Sequence, residues 1–271
     1  IIGVSTSAGL PPLTSAGPMA RRIGEWLEQA EPGYDVTVIT DENGHEVTCA
    51  EIFNEMKKYV ALPIRYELLF VHFIGHGLYQ SRDNIWMLSG LPGNPNECVS
   101  VKATFNGAQF SGIPNVVLIS DACRSLPDDV ALSDLSPSTI VPNLPGDISQ
   151  GCVDQFLATG RGTPSFEGEI DGERQSFLSH AFREAYRNPT PDMLLSIEGE
   201  GGACLSVVPN RKLSRFLEET VTHLLSTIDP LKSQRVESSV PSDDEIFVAP
   251  CDARLSADVA LLEPMGKPMG F

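Results

Sequence analysis

Two residues in this chain have side chains suited to covalent chemistry and sit where a fold could present them. His76 follows the apolar run Glu67–Phe73 and lies between Gly75 and Gly77, and Cys123 follows the apolar run Asn115–Ser120. A thiolate attacks carbonyl carbon readily, and an imidazole handles the protons, giving one to the leaving amine. The backbone N–H groups of Gly77 and Cys123 can receive the oxyanion that develops. The glycines beside His76 let a substrate backbone approach closely. Taken singly, a histidine after a strand is most often a packed or turn residue, and a lone cysteine is a small core residue. Both closing an apolar run is what sets this pair apart.

For the two to meet, the runs before them must lie side by side. Apolar stretches at Ile1–Thr6, Tyr34–Thr40, Glu67–Phe73, Ile85–Leu88, Asn115–Ser120, Val153–Thr159 and Ile246–Ala249 read as strands. Between them, apolar residues recur at helical spacing. Met19, Ile23, Trp26 and Leu27 predict a helix ended by Pro32-Gly33; Ile52, Met56 and Val60 predict one opened by a Thr48/Glu51 capping box. Phe177 to Tyr186 predicts a helix stopping before Pro189, and Leu213 to Ile228 another. Strands alternating with helices make an α/β fold with a mostly parallel sheet and helices on both faces. Sites in such sheets lie beyond the carboxyl ends of the strands, where His76 and Cys123 fall. Leu126–Gln150, rich in Pro, Ser and Asp, reads as a long surface loop.

Composition narrows the function. The chain has 271 residues and a net charge of -17, an acidic balance that disfavours nucleic acid as a partner. No apolar run approaches the ~20 residues of a membrane span, and no signal peptide is visible. The six cysteines are scattered without a C-x-x-C pair, which fits a reducing, cytoplasmic setting. The chain opens inside an apolar run, so an upstream segment is expected. His72 reads as a structural residue of its strand; His45, His180 and His223 lack ligand spacing. Asp41–Glu46 does not match a calcium loop, Glu198–Gly202 follows no convincing strand, and no metal or cofactor is expected.

Phe73-Ile74-Gly75-His76-Gly77 resembles the Ser-Gly-His-Gly segment of caspases and metacaspases, and Ile119-Ser120-Asp121-Ala122-Cys123-Arg124-Ser125 resembles the segment around their nucleophile. Caspases carry Q-A-C-[RQG]-G with the histidine about 50 residues upstream; here 123 − 76 is 47. The resemblance implies a caspase-like three-layer sandwich spanning 1–271. A large-subunit-like part would cover 1–125, a linker 126–150 and a small-subunit-like part 151–271. It also implies a cysteine endopeptidase with His76 and Cys123 as its dyad. The family does not require a third member, and none is named.

Departures from caspases point to a different substrate. The residue two before the nucleophile is Asp121 instead of Gln; in metacaspases that position is Asp and helps form a basic-specific S1 pocket. The loop Ser5–Pro18 has no Arg or Lys to bind an aspartate, and Ser165-Phe166-Glu167 would put an acid where caspases have Ser-Trp-Arg. An acidic pocket built on Asp121 and Glu167 would take Arg or Lys at P1 through charge-assisted bonds. The alternatives are that Asp121 only caps backbone N–H groups and Glu167 is an exposed loop residue. From Ser125 to Gly160 there is no Lys or Arg, while Asp128, Asp129, Asp134 and Asp147 are present. A basic-P1 enzyme would therefore stay a single chain, controlled by a regulatory or activating protein. Asp-Ala-Cys-Arg-Ser is similar to bacterial caspase-like and CHAT proteases, which implies regulated proteolysis in antiviral defence or cell death. An Asp-P1 protease and a non-catalytic partner-binding scaffold remain the alternatives.

Overall fold

A computed structural model describes residues 1–30, 34–60, 66–126, 132, 134–144, 149–199, 202 and 204–251. Pro32-Gly33 and much of the stretch 126–150, including Asp128, Asp129 and Asp147, lie outside them.

Six strands form the central sheet, in the order β13-β8-β7-β3-β1-β2: β1 (Ile2–Val4), β2 (Ile39–Thr40), β3 (Leu68–Gly75), β7 (Asn115–Ala122), β8 (Cys152–Leu157) and β13 (Glu237–Ser239). All pairings are parallel except β13 against β8. The strand period of two sorts the side chains. Val117 and Ile119 face a core shared with α1 (Ala16–Ala30), α4 (Phe177–Arg187) and α5 (Asn210–Ile228). Val116 and Leu118 face the opposite core, shared with α2 (Cys49–Val60) and α3 (Val101–Ala108). This is the expected α/β architecture with helices on both faces.

Three small antiparallel sheets decorate it: β4 (Gly77–Gln80), β5 (Asp83–Met87) and β6 (Cys98–Ser100); β9 (Glu167–Ile170) with β10 (Glu173–Ser176); and β11 (Leu195–Glu198) with β12 (Cys204–Val207). Four expectations need correction. Of Tyr34–Thr40 only Ile39 and Thr40 join the sheet, because their partner β1 is three residues long. Ile246–Ala249 is not a strand: Val248 and Ala249 are buried by core packing, and the segment is tied to Asn210 N through the Ile246 carbonyl. The Thr48 cap holds, with Glu51 N donating to Thr48 Oγ1 at 3.2 Å, but the Glu51 carboxylate turns to His45 instead of closing the box. Glu198 closes β11, contrary to the expectation that no strand precedes that Gly-rich segment. No helix among the described residues is long and apolar enough to cross a membrane.

Candidate active site

The strand ladder places the two reactive residues. β3 and β7 run parallel through eight paired positions, ending at Gly75 opposite Ala122. His76 and Cys123 are therefore the next residue after each strand, side by side at the carboxyl edge of the sheet. Gly77 packs against the backbone of Cys123. A Cβ there would come within 2.7 Å of the Cys123 carbonyl oxygen and 2.9 Å of the Ile85 carbonyl oxygen, so only glycine fits.

His76 is largely buried, and burial pushes its imidazole below the usual histidine value; the Pro11 carbonyl and the Glu167 carboxylate pull it partly back. Its Nε2 lies 2.9 Å from the Pro11 carbonyl oxygen. A carbonyl only accepts, so Nε2 carries the proton and Nδ1 holds the lone pair that can take the thiol proton. Pro11 is thus an orienting group that side-chain patterns could not reveal, since a backbone carbonyl has no residue signature. Its one trace is the Pro11-Pro12 pair, which favours extended backbone at Pro11.

Cys123 is half-buried and held by the segment entering β9: Ser165 N–H donates to its Sγ at 3.4 Å. The following residue, Arg124, is buried and fixes the loop. Its Nε donates to Asn84 Oδ1 at 2.6 Å, and its Nη1 donates to the Thr159 carbonyl at 2.7 Å and to Glu237 on β13 at 2.5 Å. Its backbone is bound on both sides to the turn before Ser165, by Arg124 N to Thr163 O and Gly162 N to Arg124 O.

Asp121 is 3% exposed, and the three hydrogen bonds described for its carboxylate all end on Oδ2: from the hydroxyls of Ser176 and Ser179 and from the Ser179 backbone N–H at 3.0 Å. Ser179 occupies the N3 position of α4, so Asp121 caps that helix from a neighbouring strand. Burial raises its carboxyl above the usual value, the serine bonds pull it down, and Glu167 raises it again. The Glu167 carboxylate therefore acts on both Asp121 and His76. Its side chain is 11% exposed, so the exposed-loop alternative for this residue is set aside. It accepts from Ser15 Oγ at 2.6 Å and pairs with Arg174 Nε at 2.5 Å. The expected site residues lie at one end of the sheet, with Ser165 of the Ser165-Phe166-Glu167 segment against Cys123; Pro11, Ser15 and Arg174 join them without having been foreseen. Among the described residues no cluster of three or more His, Cys, Asp or Glu is placed to hold a metal ion.

No curated protein matches this chain. Among solved structures, the protein GSU0716 from Geobacter sulfurreducens superposes with a TM-score of 0.56 at 10% identity, covering 93% of this chain and 97% of that one. Caspase-1 from Spodoptera frugiperda superposes with a TM-score of 0.53 at 12% identity, covering 88% of this chain and 86% of its own. These likenesses establish the fold. The family model for the caspase domain matches residues 1–251, across both strand ends and the segments packed around them, and the chain belongs to the caspase-domain (peptidase C14) family.

Proposed function

We propose that this caspase-family chain is a cysteine endopeptidase that cleaves protein substrates after Arg or Lys through a His76/Cys123 dyad. The dyad is supported by the register that puts both residues at one edge. The Cys123 thiol gives its proton to His76 Nδ1, and the thiolate adds to the peptide carbonyl. The oxyanion forms beside the amides of Gly77 and Cys123. Collapse of the adduct expels the amine, which takes the proton from His76. Water, deprotonated by His76, then hydrolyses the thioester and restores the thiol.

The observation that carries the substrate preference is the pair of acids, Asp121 and Glu167, beside that dyad. An aspartate at P1 would meet like charge there, whereas a guanidinium would meet complementary charge. Arg174 already neutralises Glu167, and at 59% side-chain exposure it can swing away as a P1 side chain enters. Because the chain lacks Lys and Arg from Ser125 to Gly160, it would act unprocessed, under a regulatory protein in cytoplasmic defence or cell death. The test is a fluorogenic-peptide panel varying P1 across Arg, Lys, Asp and neutral residues, with Cys123→Ala as control. Release after Arg or Lys that vanishes in the variant is expected. Release after Asp alone would overturn the pocket assignment, and labelling of His76→Ala by a thiol-reactive peptide at the wild-type rate would overturn the dyad.

A further inference from the structure

The buried chemistry beneath Asp121 extends further than a helix cap requires. Ser179 Oγ donates to Asp121 Oδ2 and lies 3.0 Å from Nε2 of His72, which is fully buried on β3. A hydroxyl has one proton, and here it is spent on the carboxylate. The contact with His72 must then be donated by the imidazole, Nε2–H to Ser179 Oγ. The other ring nitrogen, Nδ1, has no partner among the described residues, as expected of the unprotonated nitrogen of a neutral ring. Burial pushes that imidazole down to about 3, which agrees with the neutral tautomer. Phe70 and Phe182 pack edge-on against the ring and fix its plane. The donors therefore run in one direction, from His72 through Ser179 to Asp121, and Ser176 Oγ adds another to the same oxygen.

Oδ2 thus receives two hydroxyls and one backbone N–H, which fills its lone pairs. A guanidinium would have to bind the other oxygen. Resting on the basic-P1 reading above, we propose that Ser179, Ser176 and His72 are positioning residues that hold Asp121 as a carboxylate and aim Oδ1 at the P1 cation. The charged group facing Asp121 is Glu167 from β9, and the titratable ring behind Ser179 is His72 from β3; the two serines of the α4 N-terminus are neutral. Without the serine donors, desolvation would favour the protonated acid, which cannot pair with a cation.

Binding to the Cys123→Ala protein separates this from catalysis. The probes are a fluorescein-labelled peptide ending in P1 Arg and the same peptide with P1 citrulline, which has nearly the same shape without the charge. Anisotropy titrations run from pH 5 to 8. The Arg peptide is expected to bind more tightly than the citrulline peptide. Adding Ser179→Ala should weaken the Arg peptide about tenfold, as loss of a bond to a charged acceptor does, and leave the citrulline peptide unchanged. The pH midpoint of Arg binding should move upward, and Ser179→Thr should restore both. Equal weakening of both peptides, or an unmoved midpoint, would overturn the positioning role. Equal affinity of the two peptides in the Cys123→Ala background would instead sink the basic-P1 reading, and this inference with it. Should Ser179→Ala lack a native thermal transition, Ser176→Ala removes one donor while keeping the His72 contact. It should shift the Arg peptide alone, and no shift counts against the proposal.

Discussion

Replacing Arg124 tests how the loop after β7, which carries Cys123, is held. Its guanidinium is 2% exposed, and its partners are unequal. The Thr159 carbonyl is buried, and in Arg124→Met it would be left dry at a cost of about 1–3 kcal/mol. Asn84 Oδ1 would lose its donor too, but Asn84 is only half-buried, so that loss sits near the low end of the same range, about 1 kcal/mol. Glu237, 45% exposed, would return to water at roughly 0–1 kcal/mol. The sum is about 2–5 kcal/mol for Arg124→Met. Glu237→Gln, which keeps an acceptor at a wet position, should cost under about 1 kcal/mol. Urea denaturation of the two variants, read from midpoints at unchanged slope, gives both numbers. Equal costs would refute the reasoning, because they would mean that the exposed ion pair, not the two neutral acceptors, carries the stability. On the proposed mechanism activity should follow stability, since Arg124 adjoins Cys123.

Gly77→Ala should lower kcat/KM at least 100-fold and cost about 1–3 kcal/mol, because the added Cβ meets backbone oxygens of Cys123 and Ile85 that cannot move aside cheaply; wild-type turnover in this variant would contradict the packing. Arg174→Ala frees Glu167, so KM for Arg-P1 peptides should fall about 2–5-fold with kcat unchanged, the scale of a surface ion pair, and Arg174→Lys should stay near wild type; a KM that rises would show Arg174 to be a substrate contact. His72 links stability to pH. Its folded value of about 3 lies below the unfolded value of about 6.5, so the unfolded chain takes the proton first. Stability from this group is intact above pH ~6.5 and falls as pH drops towards 3, by at most about 5 kcal/mol. Asp121, raised by burial, acts in the opposite sense at the acid end. Denaturation of His72→Gln across pH 3–7 should show a shallower loss than wild type; parallel curves would refute it.

The parts of the fold with regular apolar spacing were legible from residues alone. Alternating Val116 to Ile119 fixes a strand buried on both faces, and Phe177, Ala181, Phe182 and Ala185 fix a helix face. The polar hairpins were not. β9–β10 is mostly charged, polar and small residues, yet Asp171-Gly172 at its tip has both φ values positive, 54° and 79°, and Asp-Gly is the sequence mark of such a turn. β4–β5 turns through Ser81-Arg82, also both at positive φ, with no glycine or asparagine to announce it. The candidate site divides in the same way. His76 and Cys123 showed through type and spacing. Asp121 was ambiguous between cap and pocket because it caps with one oxygen and has a second to offer. Pro11 acts through its backbone, Ser15 meets Glu167 across a fold of the chain that no local pattern encodes, and Arg174 reaches Glu167 within the β9–β10 hairpin.

The β3–β7 ladder has a consequence for measuring this protein. Sliding one strand by a single residue would carry its His76 or Cys123 about 3.3 Å along the strand axis, out of line with the other at the edge, and turn the side chains of that strand to the other face. Val116 and Leu118 would then trade places with Val117 and Ile119 against two differently shaped helix layers. A misaligned sheet has no half-active form, so the fraction of thiol that reacts with an active-site-directed probe counts correctly registered molecules. Titrating Cys123 with such a probe after refolding would report on the assembly of the whole central sheet.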